Sequence, residues 1–182
     1  MAKDFDPQRL DVHRFAEEGA ELQGDESLEQ FGRLQAETQG DTGAGRRVRW
    51  SARGELLNAR HVHPQVWLHV AAEATLPLLC QRCLTPVDVP LAVDRSFRFV
   101  TDEATAAAED EDAEEDLLAL TRSFDLRELV EDELLMELPV APRHDACPVP
   151  VKMSATDPAF ELAEATRENP FAVLGKLKTH DE

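Results

Sequence analysis

Residues 65–100, "QVWLHVAAEATLPLLCQRCLTPVDVPLAVDRSFRFV", contain two apolar runs separated by a Cys-x2-Cys turn. Both runs alternate between apolar and polar positions, which is typical of half-buried strands in an antiparallel sheet. The apolar positions that share a face are Val66, Leu68 and Val70 in the first run, and Val87, Val89, Leu91, Val93, Phe97 and Phe99 in the second. The segment therefore predicts two strands, joined by a turn that carries Cys80 and Cys83.

The same period of two begins upstream, in "RRVRWSARGELL" at residues 46–57. Here Val48, Trp50 and Ala52 alternate with polar residues that are mostly arginines. Turn-forming residues separate the runs, and we place them at Gly54, Asn58, Pro64, Pro77 and Pro86. Residues 46–100 are thus predicted to form an antiparallel β-meander of three to five strands, as a sheet or a small barrel-like structure.

Residues 1–45 are predicted to be a helical region. Apolar residues recur there at helical spacing between positions 8 and 36, with a break at Gly24. They are Val12, Phe15, Ala16, Leu22, Leu28, Phe31 and Leu34.

A second helical region is predicted at residues 123–182. Asp125 is the expected N-cap, Glu128 completes a capping-box pattern, and Pro139 is expected to end the helix. A Pro-rich connector and a C-terminal helix capped by Asn169 follow. The fold class is therefore predicted to be α+β, in a single domain over residues 1–182.

The composition points to an acidic, soluble protein. Among 182 residues, 37 acids stand against 19 bases, and the formal net charge is −18. Bulk electrostatics of this sign exclude non-specific collection of nucleic acid, so that any RNA contact requires a local basic patch. No apolar run reaches the length of a membrane span, and three cysteines without a signal-like start favour a cytoplasmic protein with reduced thiols.

Residues 102–116 contain nine acids and no base, within a segment at 101–122 that we predict to be a disordered acidic loop. A more specific hypothesis is an acidic arm that mimics RNA phosphate or shields a basic protein. The candidate protein-binding residues are Glu109, Asp110, Glu111, Asp112, Glu114, Glu115 and Asp116.

The Cys-x2-Cys turn is a candidate half of a zinc site. His144 and Cys147 have the same spacing in a Pro-bounded loop, so Cys80, Cys83, His144 and Cys147 would form a Cys3His set. About 60 residues separate the pairs, and small half-buried thiols flanking a turn are the alternative. A redox couple is disfavoured, because the residues after Cys83 alternate as a strand and do not open a helix.

Arginines concentrate at the start of the meander and form a candidate nucleic-acid site. The residues are Arg46, Arg47, Arg49, Arg53 and Arg82, and Arg95 and Arg98 could extend the same face. Intramolecular pairing with the acids of residues 102–116 is the alternative. No catalytic constellation is recognised, and we expect no enzyme.

Three motifs in order resemble the YceD family, the large ribosomal RNA subunit accumulation proteins. They are "CQRCLTPVDVPL", "DLRELVEDELLMELPVAPRHDAC" and "NPFAVLGKLK", and the resemblance spans residues 50 to 178 approximately. Many members carry a second cysteine pair where this chain has His144 and Cys147. The positions that match the family motifs are Cys80, Arg82, Cys83, Leu84, Asp125, Leu126, Glu131, Pro139, His144 and Cys147.

The resemblance implies a non-enzymatic factor that supports 23S rRNA accumulation in large-subunit biogenesis. The expected partner is rRNA or a pre-50S particle, bound through the arginine-bearing strands, or a basic ribosomal protein, bound through the acidic segment. The charge balance favours the protein partner. The alternative is a small zinc-stabilised or thiol-reactive regulatory module unrelated to ribosomes.

Overall fold

The computed structural model describes residues 5–39 and 45–151, together with residues 155, 157, 159, 160, 171 and 174. The chain divides into two compact units, residues 1–147 and residues 148–182. Most of the predicted C-terminal helix, including its cap Asn169, lies outside the described residues. Phe171 and Leu174 of that segment are described, and both are exposed.

The described part of the first unit contains five strands and several short helices. In chain order these are α1 Val12–Glu17, β1 Glu21–Ser27, a 3-10 helix Leu28–Gln30, α2 Gly32–Ala36, β2 Arg47–Leu57, β3 Gln65–Leu79, β4 Pro86–Val100, α3 Glu103–Glu109, β5 Asp116–Ala119 and α4 Leu126–Met136. The strands form one sheet in the order β1-β2-β3-β4-β5. The α+β class is confirmed.

The meander at the centre of the sheet is also confirmed, but the sheet is mixed and open. Strands β1 to β4 pair antiparallel, whereas β5 runs parallel to β4 along Phe97–Val100. Within the described residues β1 and β5 are not paired with each other, so the structure is not a closed barrel. A parallel neighbour requires a crossover, and α3 with its flanking turns supplies it.

One face of the sheet is the core, as the alternation predicted. Val48, Leu68 and Phe97 on β2, β3 and β4 are almost completely buried. Helices α1 and α4 cover this face, and their Phe15 and Leu134 are fully buried against it. The opposite face carries most of the charged residues of the strands, including Arg47, Arg49 and Glu73.

The helical prediction for residues 1–45 is wrong over β1. Val12 and Phe15 do lie in a helix, but Glu21–Ser27 form an edge strand that pairs with β2. Gly24 faces the indole of Trp50 there, and a side chain at Gly24 would collide with that ring. The apolar residues of this region are spaced as in a helix because several short elements follow one another and each buries one or more of them.

Three of the predicted turn residues lie inside strands instead. Gly54 is in β2, Pro77 in β3 and Pro86 at the start of β4. Pro77 is tolerated because β3 extends beyond the residues that pair with β2, and its carbonyl accepts a hydrogen bond from the Gln39 N–H at 2.7 Å. Proline marks a local sheet edge here rather than a turn.

The acidic segment is more ordered than predicted. Asp102 caps α3 by accepting a hydrogen bond from the Thr105 N–H at 2.9 Å, and Ala106 of this helix is buried. The half-buried Leu117 and Leu118 lie in β5. The acids that flank these elements are partly neutralised by arginines of β4, a long-range contact that the local composition does not show.

Helix α4 has the predicted cap and buries one apolar face. Asp125 accepts a hydrogen bond from the Glu128 N–H at 3.0 Å, and Val130 and Leu134 are fully buried. The acids of this helix are not all solvated, however. Glu131 accepts hydrogen bonds from backbone N–H groups at the start of α2, and Glu133 is buried next to Arg95 of β4. These two carboxylates fasten the helix to the rest of the fold.

We expect Gly54→Ala to destabilise the protein by about 1–3 kcal/mol, because overpacking is not relieved where the neighbour is backbone. A Cβ at this position would lie 2.7 Å from the backbone N of Ala16 and the backbone O of Phe15 in α1. Urea unfolding monitored by circular dichroism measures the change.

Gly32→Ala is the matched control, because a Cβ at Gly32 meets no atom within 4 Å. Its free energy of unfolding should change by less than about 0.5 kcal/mol. Equal effects of the two substitutions would contradict the close approach of β2 to α1.

Candidate metal centre and charged surfaces

The turn between β3 and β4 presents two thiols to one point in space. The N–H of Leu84 donates to the carbonyl of Cys80 at 2.9 Å, and the N–H of Cys80 donates to the carbonyl of Thr85 at 3.0 Å. Leu84 has a φ of 57°, the left-handed conformation that closes the turn. Cys80 is fully buried and Cys83 is half-buried. Strand geometry on both sides therefore fixes the position of the pair.

The second loop lies directly against this turn. The N–H of Gln81 donates to the carbonyl of Pro142 at 2.8 Å, which joins the two loops through their backbones. His144 Nδ1 lies 3.4 Å from Cys83 Sγ. The four potential ligand atoms of the Cys3His set all lie within 4.8 Å of one another. The structure thus brings Cys80 and Cys83 together with His144 and Cys147, a contact that the sequence left open.

This cluster could hold a metal ion such as zinc. Tetrahedral coordination at the usual Zn–S and Zn–N lengths separates two sulfurs by about 3.8 Å, and a sulfur from a nitrogen by about 3.6 Å. The observed separations require only a small contraction to reach that geometry. Three soft thiolates and one imidazole are also the donor types of structural zinc sites.

The electrostatics of the cluster favour negative sulfur. Burial opposes ionisation of Cys80, but backbone N–H groups, including those of Cys83 and His144, lower the pKa of the Cys80 thiol to about 5. The hydrogen bond with Thr85 lowers the pKa of Cys83. Hydrogen bonding to Cys80 raises the pKa of His144, and burial raises the pKa of Cys147. The site concentrates anionic sulfur in a confined space, which suits a cation.

The arginines at the start of the meander are paired with acids of the sheet. Arg46 Nη2 lies 2.7 Å from Asp88, and Arg53 Nη2 lies 3.7 Å from Glu55. Two further pairs, Arg47–Asp25 and Arg49–Glu73, both measure 2.7 Å. Intramolecular pairing therefore occurs, but with strand acids rather than with residues 102–116.

Arg82, Arg95 and Arg98 do not extend this row as one surface. Arg82 is in the Cys-x2-Cys turn, and Arg95 lies on the helix side of the sheet, 3.3 Å from Glu133. Arg98 is on the open face and pairs with the acidic segment, through Glu109 at 3.1 Å and through Glu115. Arg95 and Arg98 are three residues apart on β4, so the period of two of a strand places them on opposite faces of the sheet.

The acidic residues of this segment fall into two groups, those with and those without an arginine partner. Glu109, Glu115 and Asp116 each form an ion pair with an arginine of β4. The remaining predicted residues are exposed and have no cationic partner among the residues that the structure describes. They are Asp110, Glu111, Asp112 and Glu114.

The family model for the large ribosomal RNA subunit accumulation protein YceD matches residues 68–178, more than half of the chain. The chain belongs to the YceD family. The match includes the Cys3His cluster, Arg82 and the acidic segment, whereas Arg46, Arg47, Arg49 and Arg53 precede it. The YceD description names a role in rRNA accumulation and no chemical reaction.

No solved structure is significantly similar to this YceD chain. No helix among the described residues is long and apolar enough to cross a membrane.

A polar network on the open sheet face was missed by sequence reasoning. His69 Nδ1 lies 2.8 Å from Ser96 Oγ, and its Nε2 lies 2.9 Å from Glu55 Oε2, so three strands are joined by one imidazole. The Trp67 ring lies nearly parallel to the imidazole, with centroids 6.4 Å apart. Only the cross-strand register, which places His69 opposite Ser96, reveals the network.

We expect Leu84→Gly to raise the free energy of unfolding by about 0.5–1 kcal/mol, because glycine adopts a positive φ without the steric penalty of a Cβ. Leu84 is 68 % exposed, so few contacts are lost. Chemical denaturation at a fixed metal concentration measures the change.

Leu57→Gly is the control, since Leu57 is an exposed leucine at the end of β2 without a positive φ. That substitution should lower the stability. A loss of stability in both variants would show that Leu84 is not strained by its conformation.

Proposed function

We propose that this YceD protein is a non-enzymatic cytoplasmic factor that supports 23S rRNA accumulation by binding a basic ribosomal protein of the assembling large subunit. The observation that carries the proposal is the set of exposed acids, Asp110 to Glu114, without cationic partners among the described residues. The set lies inside the region that matches the family.

The electrostatics support a basic protein as the partner. A net charge of −18 attracts a cationic protein and repels free RNA at long range. The acids lie between α3 and β5, and Arg98 ties both ends of the segment to the sheet through Glu109 and Glu115. Anchoring in this way lowers the entropy that the segment would lose on binding.

Binding of rRNA through the strand arginines receives less support. Arg46, Arg47 and Arg49 each lie 2.7 Å from a carboxylate, and phosphate would have to displace those acids. These residues also precede the family match. RNA binding at this face is therefore the alternative to protein binding, and crosslinking distinguishes the two.

Neutralising the unpaired acids should abolish binding to the basic partner. The variant is Asp110→Asn, Glu111→Gln, Asp112→Asn and Glu114→Gln. In a strain that lacks the wild-type gene, we expect it to leave 23S rRNA and 50S particles depleted, because the partner's cations lose their complementary surface. Crosslinking followed by mass spectrometry and RNA sequencing identifies what the wild-type protein contacts, and a basic ribosomal protein is expected.

The control changes the same amount of charge elsewhere. Glu17, Glu29, Glu37 and Glu137 are exposed and lack ion pairs with described residues, and their replacement by glutamine should preserve 23S rRNA levels. Equal behaviour of the two variants would contradict a local docking surface. Normal 23S and 50S levels in the deletion strain would contradict the biogenesis role itself.

The Cys3His cluster supports a second proposal, that zinc is a structural cofactor of this protein. The ligand atoms belong to a turn and a connector whose sequence separation is about 60 residues, and within the described residues the connector has no helix or strand of its own. A metal would cross-link these loops and add its binding free energy to folding. A zinc-stabilised regulatory module unrelated to ribosomes would have the same metal site. Bound zinc therefore does not distinguish such a module from a ribosome biogenesis factor.

We expect protein purified without chelator to contain one zinc ion per chain, measured by mass spectrometry of the metal. Cys83→Ser should lose most of the metal and lower the melting temperature by several degrees, because one thiolate ligand is removed. Asp145→Asn, in the exposed residue next to His144, should retain the ion. A wild-type protein without bound zinc, and with a melting temperature unaffected by added zinc, would contradict the proposal.

A further inference from the structure

A groove opens next to the metal cluster, between the Cys-x2-Cys turn, the start of β4 and the connector that precedes Cys147. Its volume is about 800 Å³. Arg82 from the turn and Arg143 from the connector both line it, together with His144 and two carboxylates, Asp88 and Asp145. Apolar side chains and prolines form the rest of the wall.

The two arginines of this groove are available for a ligand. Both are exposed, and neither guanidinium group forms a hydrogen bond or an ion pair with the described residues. Arg46 and Arg49 on the strands, in contrast, lie 2.7 Å from their carboxylates. Arg60 is also exposed without such a partner, but it lies in the turn between β2 and β3 and does not line the groove.

The backbone brings the two arginines to one groove. The N–H of Gln81 donates to the carbonyl of Pro142, and Arg82 and Arg143 are the residues that follow these two. A guanidinium group offers a planar fork of N–H donors that matches phosphate oxygens, and two such forks in one groove can contact two phosphates of a strand.

The other charges of the groove offset those of the two arginines. Asp88 is neutralised by Arg46 at 2.7 Å, which leaves Asp145 as the acid without a partner among the described residues that line the groove. Three thiolates, one imidazole and a divalent ion would add one negative charge, so Asp145 and the metal-loaded cluster together balance the two arginines. In a protein of charge −18, this is a region where an anion meets little local repulsion.

We propose that this groove binds the phosphodiester backbone of single-stranded RNA, with Arg82 and Arg143 as the phosphate contacts. RNA as the source of the phosphate rests on the proposed function in rRNA accumulation. Val87 and Val89 line the groove and are half-buried, so they offer apolar surface to unstacked bases.

The metal site and the groove are mechanically coupled. Arg82 lies between Cys80 and Cys83, and Arg143 immediately precedes His144. A metal ion that fixes these ligands also fixes the backbone positions from which the two arginines extend. Removal of the metal is therefore expected to weaken RNA binding even though no phosphate contacts the ion.

Fluorescence anisotropy with a labelled single-stranded RNA 12-mer, at low and at physiological salt, tests the proposal on the full chain. The Arg82→Ala, Arg143→Ala double variant should bind at least tenfold more weakly than wild type. The slope of log K against log salt should fall in magnitude by about 1.4, since each phosphate contact to a single strand contributes about 0.7. Lysine at both positions should restore part of the affinity, because the charges return without the fork.

Arg60→Ala is the matched control, which removes one exposed unpaired arginine elsewhere and should bind as wild type does. Wild-type affinity in the double variant, an equal loss in Arg60→Ala, or no RNA binding by the wild-type protein would overturn the proposal. Circular dichroism of each variant confirms that the fold is retained.

Competitors identify the chemistry of the occupant. Unlabelled RNA should displace the probe, while inorganic phosphate at the same phosphate concentration and a poly-glutamate peptide should not. Displacement by poly-glutamate would overturn the nucleic-acid assignment, and equal binding of single-stranded DNA would overturn RNA as the specific ligand.

The acidic-segment variant separates this inference from the proposed function. With Asp110 to Glu114 neutralised, RNA binding in the groove should persist, since none of these acids lines it. If the wild-type protein crosslinks to a ribosomal protein but binds no RNA in the groove, only the groove proposal is overturned. If it binds RNA in the groove but crosslinks to no ribosomal protein, only the protein partner is overturned.

Discussion

The antiparallel pairing of β3 with β4 is the constraint on which the other features of this protein depend. Fourteen residue pairs join the strands, from Val66 opposite Phe99 to Leu79 opposite Pro86. A slip of one residue would move the apolar side chains of a strand to the solvent face, so the burial of Leu68 and Phe97 fixes the register. The same register sets the length of the closing turn, and hence the position of Cys80 and Cys83.

Charge is distributed unevenly over this acidic molecule. Strand arginines such as Arg49 are paired with neighbouring acids, and Arg98 is paired with the acidic segment, which leaves that face of the sheet close to neutral. Exposed acids without partners remain between α3 and β5, and exposed arginines without partners remain in the groove beside the metal ligands. The net charge of −18 therefore does not describe the local charge of the acidic segment or of the groove. Partners of opposite charge can bind at these two separate places on one fold.

Most of the sheet was predictable, because burial of one face imposes a period of two that survives in the sequence of β2, β3 and β4. The prediction was wrong at β1, where short consecutive elements imitate helical spacing and Gly24 accommodates Trp50 rather than breaking a helix. It also missed α3 and β5, because composition describes an isolated segment and Arg98, which neutralises that segment, lies in another strand.

By itself the sequence determined the strand faces, the cap at Asp125 and the ligand types of the Cys3His set, since these follow from local periodicity and side-chain chemistry. The tertiary structure alone decided that the two ligand pairs meet, through the contact of Gln81 with Pro142, and that Arg82 and Arg143 line one groove without an ion pair to the described residues. The physical reason is distance along the chain: contacts between residues about 60 positions apart depend on how the whole sheet and its connector pack, and no local pattern records them.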